Sequence, residues 1–223
     1  QFGDCIVTNK SEETNLLAVQ GPSSLAALQK LTSVPLADIP YYSFVRGELG
    51  GRSMILSRTG YTGEIGMELY FEGDEAVCTD VWNSIFDAGA EFGIEPVGLG
   101  ARDTLRLEKG YCLYGNDIDE STNTLEAGLG WITKPAKGIF NGSDIINEVK
   151  AAGVRRKLVG MIVRIDKFIA RHGYEIHHNG VAVGKVTSGN ISPSLNCAIA
   201  LGYVPTELSA PGTMVDIFAR GKA

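Results

Sequence analysis

The chain has 223 residues, 44% apolar and 21% charged, with 28 glycines and 8 prolines. That composition excludes disordered, collagen-like and disulfide-scaffold proteins and leaves a folded chain of one large domain or two small ones. Twenty Lys and Arg against 26 Asp and Glu give a formal net charge of −6, which offers no basic field to a phosphate backbone and argues against nucleic acid as the primary ligand. The longest uncharged apolar stretches, such as Ile191 to Val204, are broken by Ser, Pro, Asn and Gly and fall short of the roughly 20 apolar residues of a membrane-spanning helix.

Leu16 to Gln20 predicts a short strand ending at Gly21-Pro22, with Pro22 suited to the first turn of a helix whose apolar spacing is set by Leu25, Leu28 and Leu31. Two strands follow, Ser43 to Leu49 and Ser53 to Arg58, with Gly50-Gly51 as their hairpin turn. After the glycine- and threonine-rich segment Arg58 to Glu64 comes a strand at Gly66 to Phe71. A helix then runs from about Asp74 to Ala88, its stripe formed by Val77, Val81, Trp82, Ile85 and Phe86 and its C-terminal cap by Gly89. The turn Val97-Gly98-Leu99-Gly100 leads into a helix at Ala101 to Lys109. Lys134 to Gly138 reads as a linker, followed by a helix from Ser143 to Ala152 with Ser143 as N-cap. From Lys157 onward, five apolar runs separated by turn signals, among them His178-Asn179-Gly180, predict an antiparallel module of five or six strands, a barrel or sandwich.

Cys5, Cys78, Cys112 and Cys197 form no CxxC pair, the usage of a reducing compartment, and no disulfide is expected. Polar residues that could carry chemistry concentrate in Tyr61 to Glu68, Arg102 to Glu108 and Tyr111 to Glu120. Asn116, Asp117, Asp119 and Glu120 raise the question of a divalent metal, but they lack the spacing of a calcium loop, and a solvated acidic turn is the stronger reading. Arg102 and Arg106 share a helix face with Asp103 and Glu108 nearby, a pattern read from spacing as a surface ion-pair network. The position of Arg102 in the first helical turn, directly after a glycine-rich loop, also allows it to meet a carbonyl or carboxylate.

Glu68 and Tyr70 alternate with Met67, Leu69 and Phe71, so one face of that strand is apolar and the other carries the glutamate. Glu68 there either faces water or lines a pocket, where two carboxylate oxygens side by side can accept from a planar edge of adjacent N–H groups, as a pterin presents. His172, His177 and His178 make no HxH or HxxxH pair, and no nucleophile elbow, Walker loop, HExxH or dinucleotide fingerprint is present. The residues alone thus predict an α/β domain followed by a β module.

The phrases Leu16 to Pro22 (LLAVQGP), Arg58 to Tyr70 (RTGYTGEIGMELY), Val97 to Asp119 (VGLGARDTLRLEKGYCLYGNDID), Glu126 to Trp131 (EAGLGW), Val186 to Gly189 (VTSG) and Leu201 to Pro205 (LGYVP), taken in order, resemble the aminomethyltransferase (T-protein) family of the glycine cleavage system. The resemblance implies an α+β chain, with a ferredoxin-like, mixed α/β folate-binding part at residues 1–140 and a small C-terminal antiparallel β-barrel at 150–223. It implies transfer of a methylene from the aminomethyl group on the lipoyl arm of H-protein to tetrahydrofolate, with release of ammonia and without a metal. H-protein and folate would be the partners, in the cytoplasm of a bacterium or the mitochondrial matrix of a eukaryote.

Carried over by position, Glu68 would hold the pterin amino group and ring N–H, Arg102 the opposite end of the ring system, and Tyr61, Tyr114 and Asn116 the pocket wall. The family's catalytic aspartate corresponds to no residue here. The chain opens at Gln1 without a Met and stops short of the family's end, so the resemblance implies a fragment that keeps much of the fold with little activity of its own. The same scaffold serves a folate-dependent iron–sulfur assembly factor and a module of sarcosine and dimethylglycine dehydrogenases. The run Lys109 to Asp117 departs from the assembly factor's KGCYxGQE pattern, and Val97 to Asp119 favours the stand-alone transferase.

Overall fold

The computed structural model describes residues 3–165 and 167–219, which fall into two compact units, Gln1–Gly98 and Leu99–Ala223. In the first, strands β1 (Thr14–Gln20), β2 (Phe44–Leu49), β3 (Arg52–Ser57) and β4 (Gly66–Glu72) form one antiparallel sheet in the order β1-β4-β3-β2. Its helices are α1 (Ser24–Gln29) and α2 (Glu75–Gly89). The period-2 pattern decides which face is covered: Met54, Leu56, Met67, Leu69 and Phe71 meet Leu28 of α1 and Val81 and Ile85 of α2 in a single core. The opposite face then carries Ala18, Glu68 and Ser57 in one cross-strand row.

Local chemistry sets the ends of these elements. Gly50 and Gly51 have φ of 58° and 73°, the two positive values that a tight β2–β3 hairpin turn demands. The Asp74 side chain caps α2 by accepting from the Val77 N–H at 3.0 Å. The left-handed stop after α2 is not Gly89, which stays helical, but Gly93 at φ 68°, beyond an extra turn at Ala90–Phe92. Pro22 lies ahead of α1, whose first residue is Ser24.

The second unit contains α3 (Leu99–Glu108), α4 (Ser143–Ala152) and strands β5 (Arg156–Val163), β6 (Glu175–His178), β7 (Val181–Ser192), β8 (Cys197–Pro205) and β9 (Asp216–Phe218), paired antiparallel in the order β5-β8-β7-β6-β9. Asn179 and Gly180, both at positive φ, close the β6–β7 hairpin. The N-cap of α4 is Gly142 at φ 85°, and Ser143 is instead a buried first helical residue that makes no side-chain cap. Helix α3 lies on this sheet, with Leu107 packed against Ile199 and Leu201.

Beside that contact sits a buried polar cluster where spacing had indicated a surface network and a solvated acidic turn. Arg106 is 2% exposed and Asp117 1% exposed. All five guanidinium N–H groups are used: Nε and Nη2 donate to Asp103 Oδ1 at 2.9 and 2.7 Å, Nη1 to Asp117 Oδ2 at 2.6 Å and the Tyr111 carbonyl at 3.1 Å, and Nη2 also to Ser188 Oγ at 3.0 Å. Burial opposes the charge on Arg106, but the two carboxylates outweigh it and raise its pKa. Asp117 also accepts from the Leu113 N–H at 2.9 Å and the Thr187 hydroxyl, while its carbonyl receives the Tyr203 hydroxyl at 2.9 Å.

Removing one member strands the other's charge. Arg106→Met should therefore lower the unfolding free energy by about 3–5 kcal/mol in urea titrations, whereas Arg106→Met combined with Asp117→Leu should lose less than that single change. A double variant that loses the sum of the losses of Arg106→Met and Asp117→Leu, each measured alone, would show that the pair is not coupled.

Candidate functional site

The five residues expected to line a site are divided between the units: Tyr61 and Glu68 belong to the first, Arg102, Tyr114 and Asn116 to the second. Glu68 projects from the middle of β4, paired in register with Ser57 on one side and Ala18 on the other, and is half-buried between Met67 and Leu69, both fully buried. Its Oε2 accepts the Thr59 hydroxyl, and Thr59 Oγ1 lies 2.9 Å from Ser57 Oγ. Tyr61 follows in the bend between β3 and β4 and is half-buried, whereas Glu64 in the same bend is exposed.

Gln20 braces this bend. Its amide donates to the carbonyls of Thr59 and Met67, each at 3.2 Å, and its Oε1 accepts from Thr62 Oγ1 at 3.1 Å. A Cβ at Gly60 or Gly66 would run into the Gln20 side chain, which explains the glycines at both positions in structural terms. Arg58 Nη1 donates to the carbonyls of Ala37 and Ile39 at 2.9 and 3.1 Å.

In the second unit Arg102 is exposed on the first turn of α3. Tyr114 is 71% exposed and its backbone bridges to Ile118. Asn116 is exposed at the edge of a groove of about 540 Å³, which is also lined by Asp119, Arg155, Arg156, His172 and Tyr203. Burial pushes the Tyr203 hydroxyl up to about 12, and the Arg156 guanidinium lies 4.7 Å from the centre of its ring.

Two of the three acids of the Tyr111 to Glu120 run, Asp117 and Asp119, have structural work. Asp117 belongs to the Arg106 pair, and Asp119 accepts from the Ser121 N–H and hydroxyl at 2.9 and 2.7 Å and from Thr122 Oγ1 at 3.0 Å, bonds that hold its carboxyl below its ordinary range. No group of three or more His, Cys, Asp or Glu side chains able to hold a metal occurs among the described residues, and all four cysteines are free thiols. Among the described residues no helix is long and apolar enough to cross a membrane.

Glu108 at the end of α3 accepts from Ser192 Oγ at 2.6 Å, the Ser194 N–H at 3.0 Å and Ser194 Oγ at 2.8 Å, and these donors, Ser192 first, lower its carboxyl below the ordinary 4.5. A carboxyl lowered by folding adds stability above its unfolded pKa and loses it as pH falls through the folded one. The melting temperature should thus fall more steeply between about pH 5 and pH 3 in the parent than in Ser192→Ala/Ser194→Ala, read by circular dichroism. Parallel curves would separate Glu108 from the acid response.

A mixed α/β unit followed by a five-stranded antiparallel sheet is matched along the chain by two family models in turn. The GCVT N-terminal domain model covers residues 1–137 and the glycine cleavage T-protein C-terminal barrel domain model covers residues 156–223, and the chain belongs to the glycine cleavage T-protein family.

An aminomethyltransferase of Bacteroides fragilis is 53% identical over 217 residues, covering 96% of this chain and 59% of the relative. One of Halothermothrix orenii is 50% identical over 217 residues, covering 97% and 60%. The crystal structure of glycine cleavage system aminomethyltransferase T from Bartonella henselae matches with a TM-score of 0.82 and 33% identity, over 94% of this chain and 56% of that one. The chain spans 59% of the length of the first of these relatives.

Proposed function

We propose that the chain is the folate-holding part of a glycine cleavage aminomethyltransferase, which moves the methylene of an aminomethyl group on lipoylated H-protein to tetrahydrofolate and releases ammonia. Tetrahydrofolate would supply N5 and N10 as acceptors of the carbon. The observation that carries this reading is the state of Glu68: half-buried, braced at Oε2 by Thr59, with Oε1 accepting nothing among the described residues, in a chain of this family. Such a carboxylate fits a planar pair of N–H donors, the edge that a pterin offers through its amino group and ring N–H.

The residues of this chain bind and orient. Glu68 would fix the heterocycle by a charge-assisted two-point contact, with Tyr61 at the neighbouring wall. Orientation of a flat ring determines where its reactive nitrogens point, which is how a binding residue contributes to rate without touching the carbon transferred. None of the acids here is assigned as catalytic base, and no step of the reading needs a metal. The same reading treats residues 1–140 and 150–223 as the folate and barrel domains, supported by the spans of the two family models, and places the protein in a bacterial cytoplasm, supported by the bacterial relatives.

Calorimetric titration with 5-formyltetrahydrofolate tests it. Glu68→Gln should weaken binding by about tenfold or more, the loss expected when a charged hydrogen-bond acceptor is neutralised, while Glu64→Gln should stay within about twofold of the parent. Equal affinities for the two variants would remove Glu68 from the site.

A further inference from the structure

The side chain of Glu68 is held by a relay that none of the expected site residues includes. Thr59 has one hydroxyl proton, and it goes to Glu68 Oε2, so the 2.9 Å contact between Ser57 Oγ and Thr59 Oγ1 is donated by Ser57. The proton order is Ser57 to Thr59 to Glu68, a chain in which each bond polarises the next toward the carboxylate. Thr59 lies beyond the end of β3, outside the ladder, and would swing with the bend were its backbone not held.

Gln20 holds it. One amide nitrogen donates both to the Thr59 carbonyl and to that of Met67, the residue preceding Glu68, so a single side chain ties donor and acceptor of the Thr59–Glu68 bond to a common frame. Gly60 and Gly66 provide the space for that amide.

We propose that Thr59 is a positioning residue that fixes the rotation of the Glu68 carboxylate and thereby sets the preference for a ligand bearing an amino group beside a ring N–H. Thr59 takes one lone pair of Oε2 and leaves Oε1 and the second lone pair of Oε2 directed together at the ligand. A carboxylate free to rotate could meet the two donors only by losing that rotational freedom on binding; a braced one has lost it already. This inference rests on the reading of Glu68 as the pterin contact.

The test compares two ligands, 5-formyltetrahydrofolate and its 2-desamino analogue, by calorimetry with the parent, Thr59→Val, Thr59→Ser and Glu68→Gln. Thr59→Val keeps the side-chain shape and removes the hydroxyl. It should weaken the amino-bearing ligand about tenfold, the range of one hydrogen bond to a charged group, and leave the analogue within about twofold, while Thr59→Ser should return most of the preference. A role confined to folding would lower both affinities together, and that result overturns the proposal, as does an unchanged preference in Thr59→Val. If Glu68→Gln leaves both affinities intact, the Glu68 site itself is wrong and the role of Thr59 falls with it. If Glu68→Gln loses the preference and Thr59→Val does not, only the role of Thr59 fails.

Discussion

The buried Arg106–Asp117 pair is the constraint on which the second unit depends. A guanidinium 2% exposed is tolerable only because each of its five N–H groups has an acceptor, and those acceptors come from helix α3 itself, from the turn after it and from strand β7. Asp117 then binds the turn to β7 through Thr187 and to β8 through Tyr203. Apolar contact between α3 and the sheet involves few large residues, Leu107 against Ile199 and Leu201. The polar cluster therefore specifies where the helix lies, a task that non-directional apolar packing performs less selectively. It also explains why α3 falls in one compact unit with the sheet although about fifty residues separate it from β5.

Much of the fold was legible because short-range rules decided it. Alternation in Gly66–Glu72 gave both the strand and its buried face, and the Gly50-Gly51 and Asn179-Gly180 turns gave both hairpins, since few residue pairs tolerate the backbone angles required. Boundaries fared worse for a reason that is also physical. Gly89 and Ser143 are the right residue types for caps, but whether a residue caps depends on its φ and on the chain beyond it. An extra helical turn carried the stop from Gly89 to Gly93, and a left-handed Gly142 took the position expected of Ser143.

The candidate site was legible in part. Glu68 could be placed on the polar face of its strand from alternation, but its half-burial and its bond to Thr59 depend on the path of the bend after β3, which no local pattern reports. Asp117 looked like one acid among several in a polar turn. What distinguishes it are partners 11 residues before it and 70 after it, and neither separation leaves a periodic trace. A weak signal did exist: a charged Arg106 directly before Leu107 on the amphipathic helix α3, with Asp103 one turn earlier, is the place where a buried arginine with its own counter-charge can sit.

Arg102 and Arg106 lie one helical turn apart on α3 in different environments. Arg106 is buried with every donor engaged, and Arg102 is exposed on the same helix. Three of the Arg106 bonds reach outside the helix, to the Tyr111 carbonyl, Asp117 and Ser188, and so tie the last turn of α3 to the segment after it and to β7. In the first unit Gln20 does for the bend what Arg106 does for the helix, fixing backbone by side-chain donors so that Thr59 and Glu68 need only short, local adjustments. The two units thus apply one physical solution: polar side chains whose donors are all engaged hold the backbone frame.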